Sequence, residues 1–385
     1  MTVKAIREVP FFRPHIVGTE LEYVTEVISN GQISSDGHFT KRCSQLLEES
    51  FDIPCVLLTP SCTASLEMAA ILAGVGPGDE VVMPSFTFVS TASAFVRLGA
   101  RPAFVDICPK TLNIDVDRIE AAITAKTKAI VPVHYAGVSC DMENIRRVAR
   151  RHGLMVIEDA AQGVNAQWRG HFLGSLGQLA AYSFHTTKNF VCGEGGALCV
   201  NDEALIDRAH IIREKGTNRR QFELGQVEKY TWVDIGSSYV PSEISSAFLL
   251  AQLEQMDNVN NRRERLDARY RQLLQPLVDD RFLRLPSIPT DCSSNYHLFY
   301  VLINQGFCRA KLIQFLRDHG VQATFHYVPL HVSPVGASFG YQRGDFPVTE
   351  SVSSQLVRLP FFDDLQPEDQ EYVVATMRQF FHSCT

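Results

Sequence analysis

Short apolar segments alternate with helical patterns along residues 55–200. Each segment is nearly continuous in hydrophobic residues, and the stretches between segments are long enough for crossover helices. This alternation is typical of an α/β fold, in which a mainly parallel sheet is covered by helices on both faces. The predicted strands are residues 55–58, 80–83, 103–107, 129–133, 154–158, 180–184 and 197–200, and the predicted helices are residues 64–72, 90–96, 116–123 and 142–151.

The pattern changes after residue 240. Residues 241–277 predict one long helical stretch that links the sheet to a second unit. Beyond it, three strand patterns and two helical patterns predict a smaller α+β domain at the C-terminal end. We therefore expect a large domain at residues 1–255 and a small domain at residues 256–385. The predicted strands of the small domain are residues 282–285, 297–303 and 322–325, and its helices are residues 310–318 and 366–381.

Composition narrows the class of protein. The net charge of −7 is spread without long blocks of one sign, which argues against nucleic acid or an anionic membrane as a partner. No apolar run approaches the roughly 18 residues of a membrane span, and the N-terminal residues lack the apolar core of a signal peptide. The ten cysteines include no Cys-x-x-Cys pair, so no metal site is predicted. We expect a reduced, cytoplasmic protein.

Polar and aromatic residues follow five of the predicted strands. In open α/β sheets, ligands bind beyond the carboxyl ends of the strands, so these residues can converge on one crevice. The groups are residues 59–63, 85–88, 134–135, 159–162 and 183–188.

Most of these residues also have a structural interpretation. Ser61 and Thr63 can cap the next helix, although a helix start is equally an anion site. Phe88 is more typical of a core than of a cofactor platform, and His134 is about evenly a structural or a site residue. Asp159 is more informative, because a carboxylate buried directly after an apolar strand needs a partner.

Lys188 gives these groups a common chemistry. It follows the apolar strand that ends near Ser183 and precedes the glycine-rich residues 193–196. A lysine and an aspartate at the ends of two strands suit pyridoxal phosphate: the amine forms a Schiff base with the aldehyde, and the carboxylate of Asp159 keeps the pyridinium nitrogen protonated. The signature motifs of P-loop kinases, zinc metalloproteases, serine hydrolases and dinucleotide-binding dehydrogenases are absent from the sequence.

Several long stretches resemble the DegT/DnrJ/EryC1/StrS sugar aminotransferases. This resemblance implies the fold-type I (aspartate aminotransferase-like) architecture and pyridoxal 5'-phosphate as cofactor. Within the family, the chain looks most similar to the transaminases that make dTDP-4-amino-4,6-dideoxygalactose. The similar stretches are residues 57–70, 83–91, 131–137, 158–164, 214–219, 230–232 and 234–239.

The resemblance implies roles for matching residues. Lys188 would be the Schiff-base lysine and proton shuttle, and Asp159 would pair with the pyridinium nitrogen. Gln162 would lie near the ring hydroxyl, and Phe88 would stack on the ring. The backbone amides of Cys62 and Thr63, with the Ser183 hydroxyl, would hold the cofactor phosphate.

Two segments depart from the wider family. Many members carry an asparagine that reaches the cofactor phosphate of the partner subunit, whereas this chain has Ser238 at that position and Val240 where an arginine is usual. Gly163-Val164 replaces a common Ala-His pair. The 4-amino-4,6-dideoxygalactose subgroup shares the serine and the Gly-Val pair, so these departures indicate a subfamily, with Ser238 as a cofactor-binding candidate.

The resemblance implies a homodimer that moves the amino group of L-glutamate onto C4 of a dTDP-4-keto-6-deoxyhexose and releases 2-oxoglutarate. Histidines after a strand of the small domain can donate hydrogen bonds to a sugar nucleotide, and basic groups should line its approach. The substrate candidates are Tyr135, Arg219, His326 and His331. Two alternatives stay open: amination at C3 of a 3-keto sugar nucleotide, and a non-catalytic, cofactor-binding regulator.

Overall fold

The computed structural model of the chain describes residues 7–384. Its strands are β1 Cys55–Thr59, β2 Glu80–Pro84, β3 Arg101–Val105, β4 Thr127–Ile130, β5 Met155–Asp159, β6 Gln167–Trp168, β7 His171–Phe172, β8 Leu179–Ser183, β9 Gly196–Val200, β10 Leu283–Arg284, β11 Cys292–Ser293, β12 Tyr300–Ile303 and β13 Leu356–Arg358. Its helices are α1 Glu20–Asn30, α2 His38–Phe51, α3 Cys62–Leu72, α4 Val89–Val96, α5 Val116–Ile119, α6 Met142–His152, α7 Ile206–Arg213, α8 Arg219–Glu223, α9 Glu243–Leu253, α10 Met256–Asp279, α11 Arg309–Asp318, α12 Pro334–Ser338, α13 Pro347–Gln355 and α14 Pro367–Cys384.

The seven strands predicted within residues 55–200 form one sheet. Its order is β1-β9-β8-β5-β4-β2-β3. Neighbouring strands from β8 to β3 are parallel, and only β9 runs antiparallel to both of its neighbours. The prediction of a mainly parallel sheet is therefore confirmed, and the parallel strands β2, β4, β5 and β8 end at the same edge.

Helices cover both faces of this sheet, which explains why its strands are nearly continuous in apolar residues. One apolar cluster packs α3, α4 and α7 against one face, with Leu66, Phe95 and Ile212 in its core. On the other face, α2 and α9 pack over β1, β8 and β9, and α6 packs over β4 and β5. The helices predicted at residues 64–72, 90–96 and 142–151 are confirmed as α3, α4 and α6.

The C-terminal residues build a second, smaller unit. Its antiparallel sheet has the order β10-β12-β13, and α10, α11 and α14 pack against it around one apolar cluster. Val9 lies in the same cluster and pairs with Val321, so this part of the N-terminal segment packs on the C-terminal unit and not on the predicted large domain. Residues 1–6 and 385 of the predicted domains lie outside the described residues, and the division at residue 255 stays a prediction.

Three predicted elements differ from the structure. Residues 241–277 form two helices, because the chain leaves helical pairing between Leu253 and Met256. Residues 322–325 form no strand, since only Thr324 makes a bridge, and β13 completes that sheet instead. The predicted helix at 116–123 shortens to α5 and continues as a 3-10 turn over Glu120–Ala122. None of the helices within residues 7–384 is long and apolar enough to cross a membrane.

Candidate active site

A cavity of about 400 Å³ lies at the carboxyl edge of the central sheet, where the C-terminal unit faces it. Residues from the sheet and the helices that follow its strands form one wall, and residues near β12 and β13 form the other. Seven of the predicted site residues line the first wall, namely Cys62, Thr63, Phe88, Asp159, Gln162, Ser183 and Lys188. The second wall is formed by His297, His326, Tyr327 and Arg358.

Asp159 ends β5 and is only 5% exposed. Its Oδ2 accepts a hydrogen bond from the Thr91 hydroxyl at 2.6 Å, and its Oδ1 accepts one from the Ala161 N–H at 3.2 Å. Thr91 in turn lies 2.7 Å from the hydroxyl of Thr87, which therefore donates to it. These donors hold the carboxylate in one orientation at the edge of the cavity. Their hydrogen bonds also stabilise its negative charge.

Lys188 stands in the loop between β8 and β9. The loop folds back on itself through hydrogen bonds from the N–H groups of Phe184 and Thr186 to the carbonyls of Gly195 and Gly193. Gly193 has a φ of 84°, a conformation that glycine adopts without strain. Burial lowers the pKa of the Lys188 ammonium. The negative charge of Asp159 opposes this shift, and the positive charge of Arg358 adds to it. The neutral, nucleophilic form of the Lys188 amine is therefore more populated than that of a lysine in water.

The N-terminus of α3 opens into the same cavity. Ser61 caps it by accepting a hydrogen bond from the Ala64 N–H at 3.1 Å. Cys62 and Thr63 form the first turn, where N–H groups have no acceptor inside the helix. A Cβ at Gly196 would collide with the backbone of Ser61 and Cys62, so a glycine there lets β9 approach the helix start. This helix end therefore offers amide donors and a favourable dipole to a phosphate group.

Phe88, Gln162 and Ser183 complete this wall. The Phe88 side chain is 60% exposed although it lines a cavity, which leaves its ring free to stack on a flat ligand. Gln162 accepts a hydrogen bond from the Ala136 N–H at 2.7 Å and donates one to the Tyr327 hydroxyl at 3.0 Å. Together, an amine, a held carboxylate, a helix N-terminus and a free aromatic ring fit the aldehyde, pyridinium, phosphate and ring of pyridoxal phosphate.

The predicted substrate residues differ in their position relative to the cavity. His326 lines the cavity, but both of its ring nitrogens are engaged: Nδ1 lies 3.2 Å from the Tyr135 hydroxyl, and Nε2 lies 2.6 Å from Arg358 Nη1. No ring nitrogen of His326 is therefore free for the predicted hydrogen bond to substrate. Tyr135 is buried, its hydroxyl lies against His326, and it does not line the cavity, so its predicted substrate contact stays a prediction.

His331 and Arg219 lie outside the cavity. His331 is fully buried, with Nδ1 2.7 Å from the Ser85 hydroxyl and Nε2 3.1 Å from Glu350. Arg219 lies on the exposed helix α8 and pairs with Glu223 at 2.8 Å. Neither residue reaches the cavity of its own chain, and their predicted substrate contacts stay predictions.

Ser238 is exposed and lies away from the cavity of its own chain, where it pairs with Glu214 through a backbone bridge. Its predicted contact concerns the partner subunit's cofactor and stays a prediction. His134, which had two interpretations, is fully buried against Glu158 at 2.8 Å, and Glu158 also accepts three backbone N–H groups. Glu158 thus holds β5 to the turn at Gly174–Gly177, and His134 has a structural role as the buried partner of this carboxylate.

Sequence reasoning missed the second wall of the cavity. Arg358 is a charged residue at the end of β13 within the apolar run of residues 356–362, and this interruption is the signal that could have identified it. Tyr327 stacks on His326 with ring centroids 4.0 Å apart. His297 lies at 2.9 Å from the Asn189 side chain, and burial together with the charge of Lys188 lowers its pKa well below the ordinary value.

We expect His331→Ala to reduce stability rather than substrate specificity. The substitution leaves Ser85 and Glu350 without their buried partner, which costs about 1–3 kcal/mol. Thermal and denaturant unfolding should show this loss, while the donor and ketosugar half-reactions of the folded variant keep their ratio. The exposed His171 serves as the control, because His171→Ala removes no buried hydrogen bond. A selective loss of the ketosugar half-reaction would restore His331 to the site.

Comparisons with known proteins identify the family of the chain. The model of the DegT/DnrJ/EryC1/StrS aminotransferase family matches residues 14–378. The chain is 39% identical over 319 residues to the pleiotropic regulatory protein of Geobacillus stearothermophilus, with 82% of each chain covered. It is 32% identical over 386 residues to the spore coat polysaccharide biosynthesis protein SpsC of Bacillus subtilis, with 98% of each covered.

The fold has solved counterparts with the cofactor in two states. Spr1654 of Streptococcus pneumoniae in its PLP form superimposes with a TM-score of 0.90 and 25% identity, covering 98% of this chain and 100% of that one, and its PMP form gives a TM-score of 0.91. The cofactor of the present chain is accordingly pyridoxal phosphate. The chain belongs to the DegT/DnrJ/EryC1/StrS aminotransferase family and has the fold-type I architecture of pyridoxal-phosphate-dependent transferases.

Proposed function

We propose that the protein moves the amino group of L-glutamate onto C4 of a dTDP-4-keto-6-deoxyhexose and thereby makes a dTDP-4-amino-4,6-dideoxyhexose of the galactose configuration. The observation that carries the aminotransferase assignment is the placement of Lys188 and Asp159 in one cavity with the α3 N-terminus. The choice of C4 rests on the stretches that resemble the 4-amino-4,6-dideoxygalactose subgroup, including Ser238 and Gly163-Val164.

Each residue of the cavity has its own role in the proposed reaction. Bound pyridoxal phosphate supplies an electron sink that acidifies the carbon bearing the amino group. Lys188 Nζ takes the proton from that carbon of the donor and, in the second half-reaction, delivers a proton to the sugar carbon that receives the amine. Asp159 would hold its carboxylate opposite the ring nitrogen, and Phe88 would shield the ring face from water. 2-Oxoglutarate leaves after the first half-reaction.

Product analysis tests the substrate. We expect the loaded protein to convert dTDP-4-keto-6-deoxyglucose and L-glutamate to a product in which the 4-keto oxygen is replaced by an amine, as measured by mass spectrometry, with the C4 configuration read by NMR. A parallel reaction with a 3-keto sugar nucleotide tests the alternative of amination at C3. Faster turnover of the 3-keto sugar, or an equatorial C4 amine, would contradict the corresponding part of the proposal.

The name of the Geobacillus relative, a pleiotropic regulatory protein, is the reason to test the alternative of a non-catalytic, cofactor-binding regulator. A protein that only binds the cofactor needs no residue to move protons, whereas Lys188 lies in the cavity with Asp159 and a lowered pKa. We therefore favour catalysis. Tight cofactor binding without turnover of either ketosugar would instead favour the regulator. The cytoplasmic location expected from the sequence stays a prediction.

We propose further that the protein works as a homodimer with residues of both subunits at each site. Residues 222–235 expose several large apolar side chains next to the segment that carries Ser238, and solvent exposure of such a group favours a protein contact. Their exposed fractions are 42% for Phe222, 61% for Leu224, 77% for Trp232 and 54% for Ile235.

Subunit mixing tests the dimer. We expect Lys188→Ala and Ser238→Asp each to be inactive alone, because one lacks the amine and the other places a negative charge opposite a phosphate. In mixed dimers, one site combines the intact Lys188 of one chain with the intact Ser238 of the other, so activity should return. Sedimentation of the wild-type protein as an active monomer would contradict the proposal.

A further inference from the structure

His297 lines the active-site cavity, and only one of its two ring nitrogens has a partner among the described residues. It precedes β12, is 6% exposed and lines the cavity together with Lys188. Its Nδ1 lies 2.9 Å from the side-chain oxygen of Asn189, whereas no group within residues 7–384 donates a hydrogen bond to its Nε2. The Nε2 edge of the ring is therefore the one that remains available to a group in the cavity.

The hydrogen bonds of Asn189 determine which nitrogen of His297 carries the proton. Asn189 Nδ2 donates to the carbonyl of Asn295 at 2.7 Å, so Asn189 Oδ1 is the atom that faces His297. An amide oxygen can only accept a hydrogen bond, and the Nδ1–H of His297 therefore donates to it. A neutral imidazole has a single N–H, which leaves Nε2 with a lone pair that can accept a hydrogen bond.

His297 stays neutral at this position. Burial lowers its pKa well below the ordinary value, and the positive charges of Lys188, Arg263 and Arg358 lower it further. Its backbone is also fixed, because Arg263 Nη2 donates to the His297 carbonyl at 2.8 Å. His297 can thus accept a hydrogen bond from a cation without taking the proton.

Lys188 and His297 also border a second space, which is too small for a substrate. This cavity of about 10 Å³ is bordered by both side chains and by Ser183, Asn189 and Asn295. Such a volume admits one small polar group, such as a lysine amine, but no part of a sugar ring. Because the lysine side chain is flexible, its amine can turn towards His297 when it is not bonded to the cofactor.

We propose that His297 is a positioning residue for Lys188: its Nε2 accepts a hydrogen bond from the ammonium that forms when Lys188 takes the proton of the amino donor. Asn189 sets the tautomer on which this hydrogen bond depends. Lys188 keeps the proton until the amine passes it on, and no bond within the imidazole forms or breaks. This inference rests on the proposed transamination and adds to it a residue that acts through Lys188.

Other acceptors near the amine are less suitable. Asp159 already accepts two hydrogen bonds within the protein and would face the ring nitrogen of the cofactor. Burial raises the pKa of the Cys62 thiol well above its ordinary value, so this side chain stays a neutral, weak acceptor. His297 Nε2 is a stronger neutral acceptor and is already oriented by Asn189.

Asparagine and glutamine substitutions separate the two nitrogens of His297. In His297→Asn, the amide NH₂ takes the place of Nδ1 and can still donate to Asn189, but no atom reaches the place of Nε2. In His297→Gln, the amide oxygen can take the place of Nε2 as an acceptor, while the donor to Asn189 is lost. If Nε2 is the atom that holds Lys188, only the asparagine variant loses the hydrogen bond.

The first measurement is the donor half-reaction of the loaded enzyme with L-glutamate, followed by the cofactor absorbance. Its limiting rate should fall about tenfold to 100-fold in His297→Asn and stay within about threefold of the wild-type rate in His297→Gln, since a hydrogen bond to a charged group is lost only in the first variant. The dissociation constant of L-glutamate should not change in either variant.

The second measurement follows the lysine itself instead of turnover. In the pyridoxamine form of the enzyme the amine of Lys188 is free, and its acetylation by acetic anhydride across a pH series, quantified on the Lys188 peptide by mass spectrometry, gives its pKa. A hydrogen bond to the ammonium favours the charged form. The pKa of Lys188 should therefore be lower in His297→Asn than in the wild-type protein and unchanged in His297→Gln.

His210→Asn is the matched control. Burial lowers the pKa of His210 to about 4, in the same direction as that of His297, but His210 borders neither cavity. Its substitution should leave the half-reaction rate and the pKa of Lys188 unchanged.

An unchanged Lys188 pKa in His297→Asn, equal losses in the asparagine and glutamine variants, or a weaker affinity for L-glutamate or the sugar nucleotide would each overturn the inference. If His297→Asn does not fold, His297→Phe, which keeps a ring and lacks both nitrogens, supplies the same comparison. The acetylation measurement requires no ketosugar and no turnover. A failure of the proposed transamination is thereby distinguishable from a failure of this inference.

Discussion

Replacing Lys188 with alanine should remove the covalently held cofactor and lower turnover by about 10⁴-fold or more. The variant loses both the amine that binds the aldehyde and the group that moves the proton, and no other lysine lines the described cavity. In the wild-type protein, borohydride reduction followed by peptide mapping should place the pyridoxyl group on Lys188. In Lys188→Ala, the cofactor should dialyse away.

Lys215 provides the control for this experiment. It is exposed and pairs with Glu214 at 3.2 Å, outside the cavity. Lys215→Ala should therefore keep the cofactor spectrum and the turnover of the wild-type protein. A pyridoxyl label on any lysine other than Lys188 would refute the assignment.

Asp159→Asn should keep the fold and lower the rate of both half-reactions by about 10³-fold. The amide retains an oxygen for the Thr91 hydroxyl but loses the negative charge that holds a proton on the ring nitrogen, so the cofactor becomes a weaker electron sink. Stopped-flow measurement of the half-reaction with L-glutamate checks the rate, and thermal unfolding checks the fold.

Asp106→Asn is the control for Asp159→Asn, because it removes the charge of a buried carboxylate outside the cavity. It is 2% exposed and accepts the N–H groups of Ile107, Val348 and Thr349, but it does not line the cavity. Asp106→Asn should lower the unfolding temperature and leave the half-reaction rate of the folded protein unchanged. Wild-type half-reaction rates in Asp159→Asn would mean that Asp159 has another role.

The sequence is informative about the first wall of the cavity for a physical reason. A strand buried on both faces must be continuously apolar, so its end is visible as the first polar residue, and parallel strands bring those ends to one edge. Asp159, which follows the strand predicted at residues 154–158, is a candidate on this ground. The same reasoning gave no help with α1, whose only buried residues are Glu20 and Val27, because a mostly exposed helix leaves a weak apolar pattern.

The second wall depends on contacts that a linear pattern does not contain. His331 has a side chain of the right chemistry, but its partners come from distant segments: Ser85 follows β2, and Glu350 lies on α13. Arg358 reaches the cavity only because the C-terminal sheet packs against the edge of the central one. Residue type alone therefore selected His331, which is bonded within the protein, and missed Arg358, which lines the cavity.

The two walls of the cavity come from different structural units and can therefore vary independently in evolution. The groups that would bind the cofactor and move the proton, including Lys188 and Asp159, belong to the central sheet, whereas Arg358, His326 and Tyr327 belong to the C-terminal unit. Substitutions in the C-terminal unit can thus change which donor or acceptor is held without altering the chemistry of the ring. Exchange of that unit between relatives is a route by which one catalytic wall could serve new substrates.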